Sequence, residues 1–190
     1  LADVYKKLNL PAAIVRRAED LQGAAKIILP GVGSFDHAMQ QLEKSAMRPM
    51  LGEMALRRGV PVLGICVGMQ ILARSSEEGI SPGLGWIEGE VKRFNPSPGG
   101  AALRVPHMGW NTATPRKENG LFRGLDSDAR FYFLHSYYFR CRRPEDVVAE
   151  TDYGGTFACA VNSRNIFGVQ FHPEKSHQWG LRLLENFARL

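Results

Sequence analysis

The stretch VPVLGICVGMQIL, residues 60–72, limits the possible folds more than any other part of the chain. Val60 to Ile65 carry no charge and lead into Gly64-Ile65-Cys66-Val67-Gly68. A short apolar run closed by glycine reads as a buried strand. Apolar residues resume at once, which predicts a sharp turn at Cys66 and a helix from about Val67 to Arg74. Small residues on both sides of the cysteine permit such a turn and let a substrate approach an exposed side chain.

An earlier stretch repeats the alternation. AAKIILPGVGSF, Ala24 to Phe35, reads as a strand followed by a glycine loop. Phe35, Met39, Leu42 and Ala46 then recur at helical spacing, with Ser34 or Asp36 as the N-cap. Pro49 is expected to break or kink this stretch, and Gly59 to stop it. The opening LADVYKKLNL reads as a further helix. Strands alternating with helices imply an α/β fold, an open and mostly parallel sheet with helices on both faces.

The second half is β-rich. WIEGEVKRF (Trp86 to Phe94), RFYFLHSYYFR (Arg130 to Arg140), VVAETDY (Val147 to Tyr153) and TFACAV (Thr156 to Val161) read as strands. Asp152 to Gly155 reads as a hairpin turn. Asn95 to Gly100 reads as a loop. NIFGVQFHPEKS, Asn165 to Ser176, is a strand running into a loop, and a last amphipathic helix is expected to turn Leu181, Leu184 and Phe187 inward. No repeat or linker divides residues 1–190, so a single domain is expected.

Composition bounds the partners. The net charge is +5, yet the basic pairs, such as Arg16-Arg17 and Arg142-Arg143, are short and scattered. They read as solvated surface, with no nucleic-acid footprint. Three cysteines, Cys66, Cys141 and Cys159, are too few and of the wrong parity for a disulfide framework. A reducing, cytoplasmic location is expected, with Cys141 and Cys159 structural. No signal peptide or membrane span is expected either.

Cys66 is either a buried structural thiol or a nucleophile. A helix starting at Val67 would set its positive end beside the sulfur and its first N–H beside a developing oxyanion. A nucleophile needs a base. Of His37, His107, His135, His172 and His177, only His172 stands at the end of an apolar run with a carboxylate, Glu174, two residues on. Catalytic groups gather at that edge of a parallel sheet. The two could equally form a surface turn. Neither helical i, i+4 spacing nor a ligand cluster supports a metal at His172 and Glu174.

Together, GICVGMQIL and GVQFHPEKS resemble the class I, triad-type glutamine amidotransferases, whose fold is flavodoxin-like. The resemblance implies a triad of Cys66, His172 and Glu174 that releases ammonia from glutamine without a cofactor. It also implies an oxyanion loop at Gly31, Val32 and Gly33, completed by Val67. Gly68, Gln70, Glu78, His135, Ser136 and Tyr137 would line the glutamine.

RVPHMGWN and FYFLHSYYF resemble the glutaminase subunits of imidazole glycerol phosphate synthase. That branch implies a heterodimer with a (β/α)8 cyclase that receives ammonia through a channel. Met108, Gly109, Trp110, Asn111 and Lys175 would be interface residues, although Trp110 suits a core equally well. Glutaminase activity would stay low until the partner is loaded, with the Gly31-Val32-Gly33 backbone as the switch. Such subunits begin with a strand and glycine turn ahead of the helix that LADVYKKL matches. The expectation is therefore that this sequence lacks a natural N-terminal segment. Other amidotransferase branches, or a catalytically silent module of the same fold, remain alternatives here.

Overall fold

A computed structural model describes residues 1–97 and 102–190. Residues 98–100 of the expected loop therefore lie outside the described residues. The chain begins with α1 (Ala2–Lys7), β1 (Ile27–Gly31), α2 (Phe35–Lys44), α3 (Arg48–Gly52), β2 (Val62–Cys66) and α4 (Val67–Gln70). The strands β3 (Ser75–Ser76), β4 (Gly89–Arg93), β5 (His107–Thr112) and β6 (Thr114–Pro115) follow. Next come β7 (Arg130–His135), β8 (Tyr137–Cys141), β9 (Val147–Asp152), β10 (Thr156–Ser163) and β11 (Ile166–Val169), and α5 (His177–Arg189) closes the order.

The main sheet runs β1-β2-β11-β10-β8-β4-β3, with β9 on β10 and β6 on β9. The β1-β2 and β2-β11 pairs are parallel, as is the short β3-β4 pair, and the strands of the second half add antiparallel pairs. This is an α/β sheet extended by a β-rich second half. A separate antiparallel ribbon joins β5 to β7. Phe35, Phe131, Phe133, Phe139, Phe171 and Phe187 lie fully buried in the core.

The break in the second helical stretch falls at Ala46, with φ of 55°, just ahead of Pro49, and Pro49 then occupies the first turn of α3. Gly59, with φ of 69°, follows the last helical turn as a stop should. Ser34 caps α2 by accepting from the His37 N–H.

Three expectations need correction. α4 ends at Gln70, four residues before Arg74. Beyond it the backbone turns to other partners: the Arg74 N–H donates to Gly89 O, Ala73 O accepts from Gly85 N–H, and Leu72 O accepts from Trp86 and Ile87. The same bonds hold Trp86 and Ile87 out of β4, which begins only at Gly89. In α5 the inward stripe is Gly180, Leu183, Leu184 and Phe187, while Leu181 is 37% exposed. The i, i+3, i+4, i+7 rows from Gly180 face the core, and Leu181 lies about 100° around from them.

Candidate active site

Register brings the candidate residues together. β11 lies parallel to β2 with Val169 beside Ile65, so their carboxyl ends are neighbours. Cys66 ends one strand, and His172 follows the other by three residues. The His172 N–H then donates to Tyr132 O at 2.9 Å, pinning this extension against β7.

Cys66 has φ of 56° and ψ of −114°, a conformation that a side-chain-bearing residue adopts only under constraint. Three glycines make the turn possible. A Cβ on Gly68 would lie 1.8 Å from Leu29 O, one on Gly31 2.3 Å from Gly68 N, and one on Gly64 2.4 Å from Gly68 O. Backbone approaches that close exclude any other residue. The turn is the expected elbow, but its cysteine is covered: Cys66 is only 5% exposed, with its sulfur 4.0 Å from Leu134 O. β7, which carries Leu134, crosses this end of the sheet as part of the second ribbon.

The His172 Nδ1 and Glu174 Oε1 atoms are 3.0 Å apart. Glu174 is a carboxylate acceptor, so Nδ1 carries the proton and Nε2 is left for Cys66. Burial disfavours the charged imidazole, but hydrogen bonds to Cys66 and Glu174 outweigh it and raise His172 to about 9. Burial also acts to raise Glu174, yet its bond to His172 prevails and holds the carboxyl below its usual range. The turn Pro173–Lys175 is fixed by Ser176, whose fully buried hydroxyl donates to His172 O at 2.6 Å and accepts from Tyr132 N–H at 3.0 Å. Gly180 seats α5 against it, since a Cβ there would lie 1.8 Å from Pro173 O.

Gly31 pairs with Cys66 at the end of β1, and Val32 and Gly33 follow directly, with Val32 78% exposed and Gly33 at φ of 90°. Gln70 is buried, and its amide donates to Tyr137 O at 3.1 Å and to Gln170 Oε1 at 3.0 Å. Glu78 accepts from Phe35 N–H at 2.7 Å, at the first turn of α2. Asp36 reaches back to the Ile80 and Ser81 N–H groups, tying the same loop down. Ser136 O accepts from Phe94 N–H.

His135 and His107 form a buried pair, Nε2 to Nδ1 at 3.0 Å, in which the chain of partners fixes each tautomer. His135 Nδ1 must donate to Tyr137 O, 2.7 Å away, so its Nε2 accepts from His107 Nδ1–H. The Asn111 amide then donates to His107 Nε2 and to Asp152 O. Burial pushes His107 down to about 4 and His135 to about 3, so neither acts as a base near neutrality.

These two histidines set an acid limit to stability. Their folded values lie below the ordinary 6.5, so the stabilisation is complete above pH 6.5 and is lost as pH falls toward 4. Thermal melts over that window should lose stability with a slope approaching two protons, about 1.4 kcal/mol per pH unit for each. Substituting His107→Gln should remove about one proton of that slope, and an unchanged slope would show that the pair does not titrate on unfolding. His172 works on the opposite side: its raised value stabilises fully below pH 6.5, and that contribution fades as pH rises through about 9.

Around the ribbon, Met108 and Trp110 point outward, 61% and 37% exposed. They stand opposite Leu134 and Tyr132, and Lys175 Nζ lies 5.8 Å from the Tyr132 ring centre. Trp110 also stacks on His177 at 5.1 Å. Gly109 bends the strand with φ of 128°. The Asn111 side chain turns inward instead, to Asp152 and His107. Among the described residues no group of three His, Cys, Asp or Glu side chains is placed to hold a metal, and no helix is long and apolar enough to cross a membrane.

Sequence reasoning missed Gln170 and Ser176. Gln170 is fully buried, and its amide reaches the Cys66 sulfur at 3.8 Å. The available signal was a carboxamide inside the apolar run FGVQF, since a buried polar group must find partners.

Residues 3–190 match the family model for class-I glutamine amidotransferases. The HisH subunit of imidazole glycerol phosphate synthase from Bdellovibrio bacteriovorus is 54% identical over 189 residues, covering 100% of this chain and 93% of that one. The HisH subunit from Leptospira interrogans is 53% identical with the same coverage. In fold, the chain is similar to a crystal structure of a glutamine amidotransferase, with TM-score 0.73, 22% identity and coverage of 100% and 92%. The glutaminase domain of Trypanosoma brucei CTPS with bound acivicin superposes with TM-score 0.64, 17% identity and coverage of 98% and 84%. An elbow cysteine beside a carboxylate-bound histidine thus stands in a chain that belongs to the class-I glutamine amidotransferases.

Proposed function

We propose that the protein is the glutaminase subunit of an imidazole glycerol phosphate synthase, with Cys66, His172 and Glu174 as its catalytic triad. The observation that carries this reading is the juxtaposition of the strained Cys66 turn with His172, whose Nδ1 lies 3.0 Å from Glu174 Oε1. In it, the Cys66 thiolate attacks the side-chain amide carbon of glutamine. The Val67 and Val32 N–H groups hold the oxyanion. His172 gives its proton to the departing ammonia, leaving a glutamyl thioester. Water, deprotonated by the same imidazole, then hydrolyses the thioester to glutamate and regenerates the thiol. Glu174 orients the ring and stabilises its charged form throughout.

Ammonia is passed on rather than released. The relatives' designation as a synthase subunit, together with the exposed Met108, Leu134 and Trp110 beside Lys175 and half-buried Tyr132, supports a partner seated over this ribbon. We take that partner to be a (β/α)8 cyclase, forming a heterodimer and accepting the ammonia into its own nucleotide substrate. Because Cys66 has to remain a thiol to act, a reducing cytoplasm is the fitting compartment.

Glutamate release from glutamine tests this reading, measured for the chain alone and with a histidine-pathway cyclase and its nucleotide ligand. Strong activation by the loaded cyclase is the expected result. Rapid turnover that ignores the cyclase would assign the protein to another amidotransferase branch.

A further inference from the structure

We infer that Gln170 is a further catalytic side chain, whose amide N–H holds the Cys66 sulfur in its reactive form, and that Gln70 fixes the amide in that orientation. The inference deepens the proposed function, since it rests on Cys66 being the nucleophile.

Gln170 follows β11 directly and has no exposed surface. Its backbone N–H donates to Cys159 O at 2.9 Å, which anchors the residue in the sheet. Its side chain makes two contacts, Oε1 with Gln70 Nε2 at 3.0 Å and Nε2 with Cys66 Sγ at 3.8 Å. A core position of this kind would ordinarily be filled by leucine or methionine, because an enclosed carboxamide is costly unless each end is matched.

A carboxamide can be turned end for end, which would set an oxygen against the sulfur. The surrounding contacts forbid it. The Tyr137 carbonyl can only accept, so the Gln70 atom 3.1 Å from it is the NH2 group. That same NH2 group faces Gln170, so the Gln170 atom meeting it is the oxygen. The remaining Gln170 group, aimed at Cys66, is therefore a donor. One backbone carbonyl thus sets the polarity of two side chains and delivers an N–H to the sulfur.

A donor bonded to the charged form of a group favours that form. The Gln170 N–H therefore biases the Cys66–His172 pair toward thiolate and imidazolium. It also fixes the sulfur laterally. Cys66 then has the amide as well as His172 as a partner, which restricts the sulfur before substrate arrives.

Alkylation by iodoacetamide, followed as a function of pH on the peptide that carries Cys66, reads the thiolate without requiring turnover. Gln170→Met keeps the volume and removes the donor. Gln170→Glu keeps the shape and sets an acceptor against the sulfur. In the intact protein at pH 7, the Cys66 rate should fall about tenfold in Gln170→Met and further in Gln170→Glu, through an upward move of the midpoint by about one pH unit. At high pH the Gln170→Met rate should rejoin that of the unsubstituted protein. A Gln170→Met rate equal to the unsubstituted one at pH 7, or one depressed by the same factor at every pH, would overturn the inference, because packing alone would then explain the residue. Should Gln170→Met fail to fold, as judged by circular dichroism, the isosteric Gln170→Glu decides the matter by the same profile. Glutamate release by the unsubstituted protein is scored separately. Its absence beside a shifted alkylation profile would remove the proposed glutaminase, and with it the catalytic role, leaving only the effect of the amide on the thiol, while release with unshifted profiles would keep the glutaminase and overturn the inference.

Discussion

Substituting Cys66→Ala should lower glutamine hydrolysis by about 10⁴-fold or more, because no other group in the site can form the thioester. His172 and Glu174 remain bonded to each other in such a variant, but they have no nucleophile to serve. The fold should survive, since the turn is made by Gly64, Gly68 and Gly31. Comparison with Cys66→Gly adds a second reading. At φ of 56° and ψ of −114°, a Cβ is held under strain that glycine does not feel. Cys66→Gly should therefore be more stable than Cys66→Ala by about 1 kcal/mol, although both are inactive. Activity retained in Cys66→Ala would move the chemistry to another group, and equal stability of the two variants would show that the turn is relaxed.

A methyl group at Gly68 should damage the fold more than the loss of any one hydrogen bond. The added carbon would stand 1.8 Å from Leu29 O, an atom of the β1 backbone that cannot rotate aside. β1 and the elbow would have to separate, breaking the register that places Gly31 beside Cys66. Gly68→Ala should lower stability by about 3 kcal/mol or more, read as a fall in the urea midpoint, with glutaminase activity lost alongside. Gly23→Ala is the control, because a Cβ there meets nothing within 4 Å, and it should leave the midpoint nearly unmoved. A Gly68→Ala protein as stable as its control would mean that the elbow is less tightly closed than the distances state.

Much of this was legible in the sequence because the signals are local. The strand, glycine and cysteine of residues 60–68 specify the elbow within nine positions, and Ser34 caps the helix that follows it. Glu174 is close enough in sequence to His172 for the pair to be read directly. The elements that were misjudged depend on distant partners. α4 stops at Gln70 where residues 83–89 take over the backbone groups of residues 71–74, Gly89 O drawing the Arg74 N–H away from the helix. Leu181 faces outward because the rest of α5 is oriented by Gly180 on Pro173. The elbow reads as exposed until β7 is laid across it and Leu134 reaches the sulfur. Gln170 escaped notice for a related reason. Its partners, Gln70 and Cys66, lie 100 and 104 residues away, and only the parallel pairing of β2 with β11 brings them together.

The carbonyl of Tyr137 receives N–H groups from two directions, His135 on one side and Gln70 on the other. Proton hopping along a hydrogen-bonded chain requires each member to accept on one side and donate on the other. A carbonyl has no proton to hand forward, so the chain of hydrogen bonds that runs inward from Asn111 through the two histidines ends there. Tyr137 O is thus an insulator between two wired regions of the molecule. The ribbon that carries Met108 and Trp110 is joined to Tyr137 O by this chain of hydrogen bonds, but the chain cannot hand a proton on to Gln70 and the thiol beyond it.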